Sequence, residues 1–352
     1  MSSSDGDRPV TIYTVADRAG VSIATVSRVL QGSARSSPVT RQKVLRAVEE
    51  LDYVPLRAAR TLDVSRHEAH GLVLPGLTGQ YFAELLAGYE STASQYGQSV
   101  VVVLTADLVD LNSTLRTLLA RVDGLALTHG TAADGLTRTM ARSIPTVVLA
   151  HSPIEGCDTV VVENRESAAT LTTHLLEHGR RRLVFVGDPE TSHDIRERYA
   201  GFAGALETAG LREARAPMSV WFQESSAPEI VDELMAAPGQ VDALVCANDE
   251  LALATMTLLA RRGVTVPDDL AIVGFDDIMT SRYVSPGLTT VRQPTHELGR
   301  WAAIRLHERI QGRTRQVEPQ ILPTRVVFRG SCGCPWDGPE ILRARPALIA
   351  QP

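Results

Sequence analysis

Apolar side chains recur at helical spacing in two short segments near the amino end of the chain, on either side of a Gly-Val-Ser turn. Thr11 is a suitable cap for the first helix, which is predicted to end at Ala19. Gly20 supplies the left-handed residue that ends this helix, and Ser22 caps a second helix predicted over residues 23–30. So short a turn requires the two helices to cross steeply.

A third helix is predicted to follow Ser37, which caps it, with Pro38 in the first helical position. The three helices are expected to share one small core. The apolar residues assigned to that core are Val15, Ala16, Val26, Val29, Leu30, Val44, Leu45, Val48 and Leu51. Because the second helix needs only three of them for packing, its amino-terminal face is left free for another purpose.

From Gly71 onward, uninterrupted apolar runs alternate with amphipathic stretches. The first runs are GLVLPGL, SVVVVLT, GLALT and TVVLA, and a second series consists of TVVVEN, RLVFVGD, SVWF, ALVCAND and LAIVGFDD. Valine- and leucine-rich runs separated by helices are typical of parallel strands that are covered on both faces. The pattern therefore predicts an α/β body made of two doubly wound parallel-sheet subdomains.

Ligands of such sheets bind beyond the carboxyl ends of the strands. Several polar residues follow the apolar runs directly: Thr128, His129, Asp188, Asn248, Asp249, Asp276 and Asp277. No glycine-rich phosphate loop follows a strand, and neither a GxSxG elbow nor an HExxH pair occurs. These absences argue against nucleotide-dependent chemistry and against an enzyme, and no cofactor is expected.

The length of 352 residues and the hydrophobic content of 44% allow two or three compact units. No run of 18 apolar residues occurs, and residues 1–8 lack the apolar core of a signal peptide. We therefore expect a cytoplasmic protein without a membrane segment.

Charge is distributed unevenly along the chain. Residues 8–62 carry nine basic and four acidic side chains, a net charge of +5, although the whole chain has −6. A basic head on an acidic body suggests that only the head meets a polyanion. The alternative is a solvated basic surface with no partner.

The sequence contains two close pairs of side chains of the metal-binding type. His174 and His178 are four residues apart, but no third ligand is near them in the sequence, so we expect surface histidines on a helix. Cys332 and Cys334 form a Cys-Gly-Cys pair that is expected to be inert. No metal site is predicted.

The free face of the second helix has the chemistry of a major-groove reader. Arg28 can pair with both acceptors of a guanine edge, and Ile23 and Ala24 offer apolar contacts to thymine methyl groups. The alternative is an ordinary surface helix of a three-helix bundle.

Residues 11–62, TIYTVADRAGVSIATVSRVLQGSARSSPVTRQKVLRAVEELDYVPLRAARTL, resemble without gaps the DNA-binding headpiece and hinge of the lactose/galactose-repressor (LacI/GalR) family. The resemblance implies that Ile23, Ala24 and Arg28 read bases. It also implies phosphate contacts by Thr11, Tyr13, Ser22, Thr25 and Ser27. Thr14, Gln31 and Leu56 depart from the usual family residues Asp, Asn and Asn.

The segment from Pro55 to His70, called the hinge segment below, is too short to be a stable isolated helix. The resemblance implies that two such segments pair across a dimer in the minor groove, where Leu62 wedges into the central base step. The domains are then residues 1–54 for the headpiece, 55–70 for the hinge segment, 71–342 for the body and 343–352 for a tail.

The body resembles the effector domain of the same family, which shares the fold of periplasmic sugar-binding proteins. Matching phrases are RERYAGFAGAL, ALVCANDELALATMTLLARRGVTVPDDLAIVGFDD, LTTVRQP and LPTRVVFRGS. The N-subdomain is then expected at about residues 71–162 and 292–322, and the C-subdomain at about 163–289 and 323–342.

By this resemblance, Arg198, Asn248 and Asp276 hydrogen-bond the effector and Trp221 packs against it. Tyr81, Phe82 and Thr128 line the opposite wall. These side chains suit a sugar, because Arg and Asp bind vicinal hydroxyls and an aromatic ring stacks on the apolar face. Ala150, His151 and Arg180 depart from the common pattern, and the first change removes a ligand-facing carboxylate.

The sequence thus predicts a ligand-responsive transcription regulator, a repressor, that binds double-stranded palindromic operator DNA as a homodimer. A small molecule, expected to be a sugar or derivative, switches it. No leucine heptads follow Pro335, so a tetramer is not expected. The alternatives are a sugar-binding or sugar-processing protein with an incidental head, and an architectural DNA binder without effector control.

Overall fold

The structure is a computed structural model that describes residues 11–30, 37–51, 67–313, 319–336 and 338. The chain divides into two compact units, residues 1–65 and 66–352. Gln31, Leu56, Leu62 and the tail at 343–352 lie outside the described residues, and of the hinge segment only residues 67–70 lie within them.

The first unit has three helices: α1 (Ile12–Ala19), α2 (Ile23–Leu30) and α3 (Pro38–Glu50). The predicted helices are confirmed, with Gly20 in the left-handed region at φ 65° after α1. Most of the predicted core residues are also confirmed as buried or packed against the core. Leu45 is the exception, because its side chain is 46% exposed and Ala47 fills that position of the core instead.

Two sets of polar contacts stabilise the ends of these helices. The backbone N–H of Thr11 donates to Oγ1 of Thr14 at 3.3 Å, so Thr14 serves as a capping partner of α1. Glu50 in α3 accepts from Arg18 in α1 at 2.6 Å and from Arg46 at 2.9 Å. The hydrogen bond from Arg18, followed by that from Arg46, lowers the pKa of Glu50.

The second unit consists of alternating strands and helices. The strands are β1 (Ala69–Leu74), β2 (Ser99–Leu104), β3 (Gly124–Thr128), β4 (Thr146–Leu149), β5 (Asp158–Val162), β6 (Leu183–Val186), β7 (Ala243–Cys246), β8 (Ala271–Val273), β9 (Thr290–Arg292), β10 (Gln320–Leu322) and β11 (Arg325–Val327). The helices are α4 (Gln80–Gln95), α5 (Leu111–Leu119), α6 (Asp134–Ala141), α7 (Arg165–Glu177), α8 (His193–Thr208), α9 (Ala227–Ala236), α10 (Asp249–Arg261) and α11 (Thr295–Ile310).

The N-subdomain is built on a parallel sheet of order β10-β5-β4-β3-β1-β2. Helices α4 and α11 pack against each other over one face of it, around Leu85, Tyr89 and Leu298. Gly88 permits this close packing, because a Cβ there would lie 1.9 Å from the carbonyl oxygen of His296. In β1, His70 is fully buried and its Nδ1 lies 3.2 Å from the hydroxyl of Tyr89.

The C-subdomain contains the parallel sheet β6-β7-β8 and the antiparallel pair β11-β9. Single bridges extend the parallel sheet, from Val186 to Met218 at one edge and from Val273 to Thr289 at the other. The predicted strands of both subdomains are confirmed except SVWF. Residues 219–222 form a loop, because only the preceding Met218 pairs with the sheet.

The chain passes between the two subdomains three times, after β5, after β9 and after β10. The first and the third of these crossings lie beside each other. The hydroxyl of Thr324 donates to the carbonyl oxygen of Glu163 at 3.1 Å and lies 2.7 Å from the hydroxyl of Ser167. The crossing segments after β5 and after β10 are therefore joined by hydrogen bonds.

Candidate functional site

The exposed face of α2 and its cap, called the recognition face below, consists of Ser22, Ile23, Ala24, Thr25, Ser27 and Arg28. Val26 and Val29 are buried on the opposite side of the helix. Ile23 is 40% exposed although it is a large apolar residue. The face thus combines apolar and hydrogen-bonding groups that the core of the headpiece does not require.

Within the part of the headpiece that the structure describes, the polar groups of the recognition face bond to one another and to their own helix. Nε of Arg28 donates to the carbonyl oxygen of Ala24 at 3.1 Å, and Ser22 Oγ lies 2.9 Å from Thr25 Oγ1. Such exposed bonds exchange readily for bonds to a ligand, because water already competes for them. Thr11 is exposed at the start of α1, and the neighbouring Tyr13 is 65% exposed.

In the second unit, Arg198 of α8 lies at the carboxyl ends of the central strands. Its Nε donates to Oδ1 of Asn164 at 2.8 Å, and its Nη1 donates to the carbonyl oxygen of Ala247 at 2.6 Å. The guanidinium also lies 3.8 Å from the ring centroid of Phe275. Nη2 faces Oδ2 of Asp194 at 4.0 Å. Arg198 is therefore a buried cation held in a fixed orientation.

Asp276, which follows β8, lies near this cation. Nε2 of Gln293 donates to its Oδ1 at 2.5 Å. Burial raises the pKa of Asp276 to about 8, and the nearby Arg198 guanidinium opposes this rise. A carboxyl group with so perturbed a pKa, beside a fixed cation and at a strand end, is characteristic of a ligand site.

The backbone at this strand end is strained. Asp276 and Asp277 have φ values of 137° and 56°, a region that side-chain-bearing residues rarely adopt. The Asp277 carboxylate holds this conformation by accepting from Arg329 at 2.6 Å and from Arg292 at 2.5 Å. Strain of this kind is found mainly at functional sites, where the surrounding contacts maintain it.

Tyr81 of α4 faces the same charged groups from the N-subdomain. Burial raises its pKa, the carboxylates of Asp194 and Asp276 raise it further, and Arg198 opposes them. The Tyr81 ring packs edge-on against Phe82, with 5.2 Å between the centroids. Residues predicted for both walls of an effector site are thus brought together between the two subdomains.

The other three predicted effector residues have different surroundings. Asn248 caps α10 by accepting from the N–H of Leu251, and it donates to the carbonyl oxygen of Phe222 at 2.9 Å. Trp221 is 64% exposed. Thr128 is buried, and its hydroxyl donates to the carbonyl oxygen of Val73 at 3.3 Å. In this conformation Asn248 and Thr128 make structural hydrogen bonds, and Trp221 lies on the surface.

Hydrogen bonds also connect the walls directly. Nε2 of His129 donates to the carbonyl oxygen of Thr191 at 2.5 Å, and Ser152 Oγ lies 3.2 Å from Nδ1 of His193. Desolvation lowers the pKa of His129, so the neutral imidazole with a proton on Nε2 is favoured. These contacts hold the subdomains close on one side of the cleft.

Three residues at this site were not predicted as ligand residues: Asn164, Asp194 and Gln293. Nδ2 of Asn164 donates to Asp194 Oδ1 at 3.2 Å, while Asn164 Oδ1 accepts from Arg198. A signal for Asn164 was present, because it ends the run TVVVEN and thus follows β5. Asp194 lies on α8, where strand patterns give no signal, and Gln293 directly follows β9, a three-residue strand that the apolar runs did not predict.

The expectation that no third metal ligand lies near His174 and His178 is wrong. The four side chains lie together, with one ligand atom of each within 4.8 Å of every other. The sequence concealed this cluster because about 155 residues separate the two pairs.

Among the helices that the structure describes, none has the length and apolar character needed to cross a membrane.

Comparison with known proteins matches residues 11–55 to the profile for bacterial regulatory proteins of the lacI family. Residues 172–332 match the profile for a periplasmic binding protein-like domain. The first match covers most of the headpiece, including the recognition face. The second match covers most of the C-subdomain together with α11 and β10 of the N-subdomain.

Curated relatives span nearly the whole chain. The HTH-type transcriptional repressor PurR of Vibrio parahaemolyticus is 30% identical over 332 residues, covering 91% of this chain and 98% of the relative. The ribose operon repressor of Halalkalibacterium halodurans is 32% identical over 321 residues, covering 91% and 96%.

A solved structure of the Lac repressor dimer bound to operator and the anti-inducer ONPF has the same fold. It superposes with a TM-score of 0.82 at 28% identity and covers 92% of this chain and 99% of the solved chain. These relatives are transcriptional regulators and not enzymes. On the strength of the full-length relatives, the chain belongs to the LacI family of bacterial regulatory proteins.

Proposed function

We propose that the protein is a homodimeric transcriptional repressor whose binding to a palindromic operator is switched by a small molecule. It acts in the cytoplasm, where its DNA is. The names of the relatives support repression, and the Lac repressor dimer bound to operator supports the dimeric mode of binding.

The recognition face is the observation that carries this proposal. Its side chains are free of the headpiece core, and the second helix of such a motif lies in the major groove with its amino-terminal residues on the bases. Arg28, Ile23 and Ala24 then contact base edges. The phosphate contacts are assigned to Thr11, Tyr13, Ser22, Thr25 and Ser27.

Leu62 is proposed as the minor-groove wedge at the centre of the operator, on the basis of the sequence resemblance. Unstacking a base step costs a few kcal/mol, and the resulting bend lets more protein contact the DNA. Leu62→Ala should therefore reduce operator bending in a circular-permutation gel assay. An unchanged bend angle would remove Leu62 from this role.

The effector is proposed to be a sugar or sugar derivative bound between the subdomains. Arg198 and Asp276 provide a donor and an acceptor for adjacent hydroxyl groups, while Tyr81 and Phe82 provide the opposite wall. Asn248, Trp221 and Thr128 are assigned to the same site. Their inclusion requires the cleft to rearrange, since Trp221 is exposed and the polar groups of Asn248 and Thr128 are already bonded.

Effector binding is proposed to change the angle between the subdomains and so the separation of the two headpieces. His129 and Ser152 bond across the cleft, so a ligand that alters these contacts favours one subdomain angle over another. A coupling of about 1–3 kcal/mol changes operator affinity by about 5- to 150-fold, which is sufficient for a switch.

The test is binding of the full-length chain to the DNA upstream of its own gene, measured by fluorescence anisotropy at several salt concentrations. We expect binding that survives excess unrelated DNA, and a large change in affinity with one member of a carbohydrate panel. Equal affinity for related and unrelated DNA would refute the repressor proposal. Specific binding that no carbohydrate changes would refute only the effector class.

A further inference from the structure

The C-subdomain contains a cluster of four metal-binding side chains that the proposed repressor function does not use. His174 and His178 lie one turn apart near the carboxyl end of α7 and so project from the same side of the helix. Cys332 ends a short 3-10 turn, Gly330–Cys332, and Cys334 follows two residues later. All four cysteines of the chain are free thiols, so Cys332 and Cys334 are available as ligands.

Three nitrogen-to-sulfur distances within the cluster are close to the edges of a tetrahedral coordination sphere, and all four ligand atoms lie within 4.8 Å of one another. Nε2 of His174 lies 3.3 Å from Sγ of Cys332 and 3.2 Å from Sγ of Cys334. Nε2 of His178 lies 3.5 Å from Sγ of Cys334. Zinc bonds of about 2.0 Å to nitrogen and about 2.3 Å to sulfur, at tetrahedral angles, place such atoms about 3.6 Å apart.

The surroundings keep these ligands in place. The ring centroids of Phe328 and His174 lie 4.1 Å apart. The Thr289 hydroxyl lies 3.1 Å from Sγ of Cys332, where it can donate to a thiolate. Cys332 is fully buried, whereas His178 is exposed. The cluster is thus buried on one side and open on the other, which gives an ion a path of entry.

The location of the cluster separates it from the cleft. Asn164, which accepts a hydrogen bond from Arg198, directly precedes α7, and His174 lies ten residues further along the chain. At 1.5 Å per residue the two are about 15 Å apart. Four protein ligands also leave no open position for a substrate, as is typical of structural zinc sites.

We propose that His174, His178, Cys332 and Cys334 bind one Zn²⁺ ion that joins α7 to the segment at residues 330–334. The ion fixes this segment of the C-subdomain, which immediately follows β11. It stabilises the fold and takes no part in binding the effector or DNA.

The test uses full-length protein without a polyhistidine tag, analysed for metals by mass spectrometry after dialysis. We expect about one zinc ion per protomer, and we expect a strong chelator to lower the thermal midpoint, which added Zn²⁺ restores. Replacement by Co²⁺ should give the visible bands of a tetrahedral site together with thiolate-to-metal charge transfer in the near ultraviolet.

Cys334→Ser and His178→Gln remove ligands at the more exposed side of the cluster, where the fold is least disturbed. Each should lower zinc affinity at least 10-fold and weaken the cobalt spectrum, whereas His296→Gln, an exposed histidine elsewhere, should change neither. The proposal is overturned if wild-type protein neither contains zinc nor gives the cobalt bands on titration. Unchanged affinity in both ligand variants, or a Cys332–Cys334 disulfide in freshly purified protein, would also overturn it.

Discussion

The buried imidazole of His70 makes the stability of the body depend on pH. Its side chain is fully buried in β1, and desolvation lowers its pKa from 6.5 to about 4, assisted by His307 and opposed by Asp123. In the unfolded chain the same group takes up a proton below about pH 6.5. Between these two values the unfolded state binds more protons, so the free energy of unfolding falls as the pH falls.

The size of this effect follows from the two pKa values. A pKa difference of about 2.5 between the unfolded and folded states lowers the free energy of unfolding by about 3.4 kcal/mol once the pH is below 4. About 2 kcal/mol of this decrease occurs between pH 7 and pH 5. For a body of this size, 2 kcal/mol corresponds to a decrease in Tm of roughly 4–8 °C. Above about pH 8 the contribution of His70 to the pH dependence disappears.

The assay is urea unfolding at pH 7 and pH 5 for wild-type protein, His70→Gln and His296→Gln. The compared quantity is the loss of unfolding free energy between the two pH values, so a general destabilisation by His70→Gln does not affect the result. We expect this loss to be about 2 kcal/mol smaller in His70→Gln than in wild type. The His296→Gln control should behave as wild type, and an equal loss in all three proteins would refute the reasoning.

Three further predictions concern the recognition face, the cleft and the packing of helices. Arg28→Ala should weaken operator binding by about 1–3 kcal/mol and relax selection at one base pair; unchanged preference across single-base-pair operator variants would exclude base reading by Arg28. Asp276→Ala should abolish effector binding in calorimetry and leave operator affinity intact, so normal effector affinity would place Asp276 outside the site. Gly88→Ala should destabilise the body by about 1–3 kcal/mol in urea unfolding, because its Cβ would meet the backbone of His296 at 1.9 Å. Gly204→Ala, on an exposed helical position with no atom within 4 Å of the new Cβ, should have no such effect, and equal losses in both variants would contradict the packing argument.

The elements of the fold were predictable where local pattern and packing agree. Helices α1 and α3 begin at capping residues and α1 ends at Gly20, and most strands of the two parallel sheets lie within apolar runs. The prediction of a strand at SVWF was wrong because an apolar run is also compatible with a loop, and here Trp221 is exposed. The assignment of Leu45 to the core was wrong because Val44 and Leu45 are adjacent on the helix, and here Val44 faces the core while Leu45 faces outward.

The cleft was predictable only in part. Strand ends identified Asp276 and Asn248, and the family resemblance added Arg198 and Tyr81, which the structure brings near Asp276. The hydrogen bonds that orient these groups depend on tertiary structure. The partners of Arg198 include the backbone carbonyl of Ala247, and no property of a side chain in the sequence identifies such an acceptor.

The order of the three crossings along the chain also affects how the protein folds during synthesis. β10 pairs with β5 at the edge of the N-subdomain sheet, and α11 covers β3, β4 and β5, yet both elements follow the whole parallel sheet of the C-subdomain in the chain. During synthesis from the amino end, the ribosome must therefore complete β6, β7 and β8 before it supplies the last strand of the earlier sheet. A nascent chain released at residue 290 would expose an unpaired strand edge and the apolar surface that α11 normally covers, which makes late truncations candidates for chaperone capture and proteolysis.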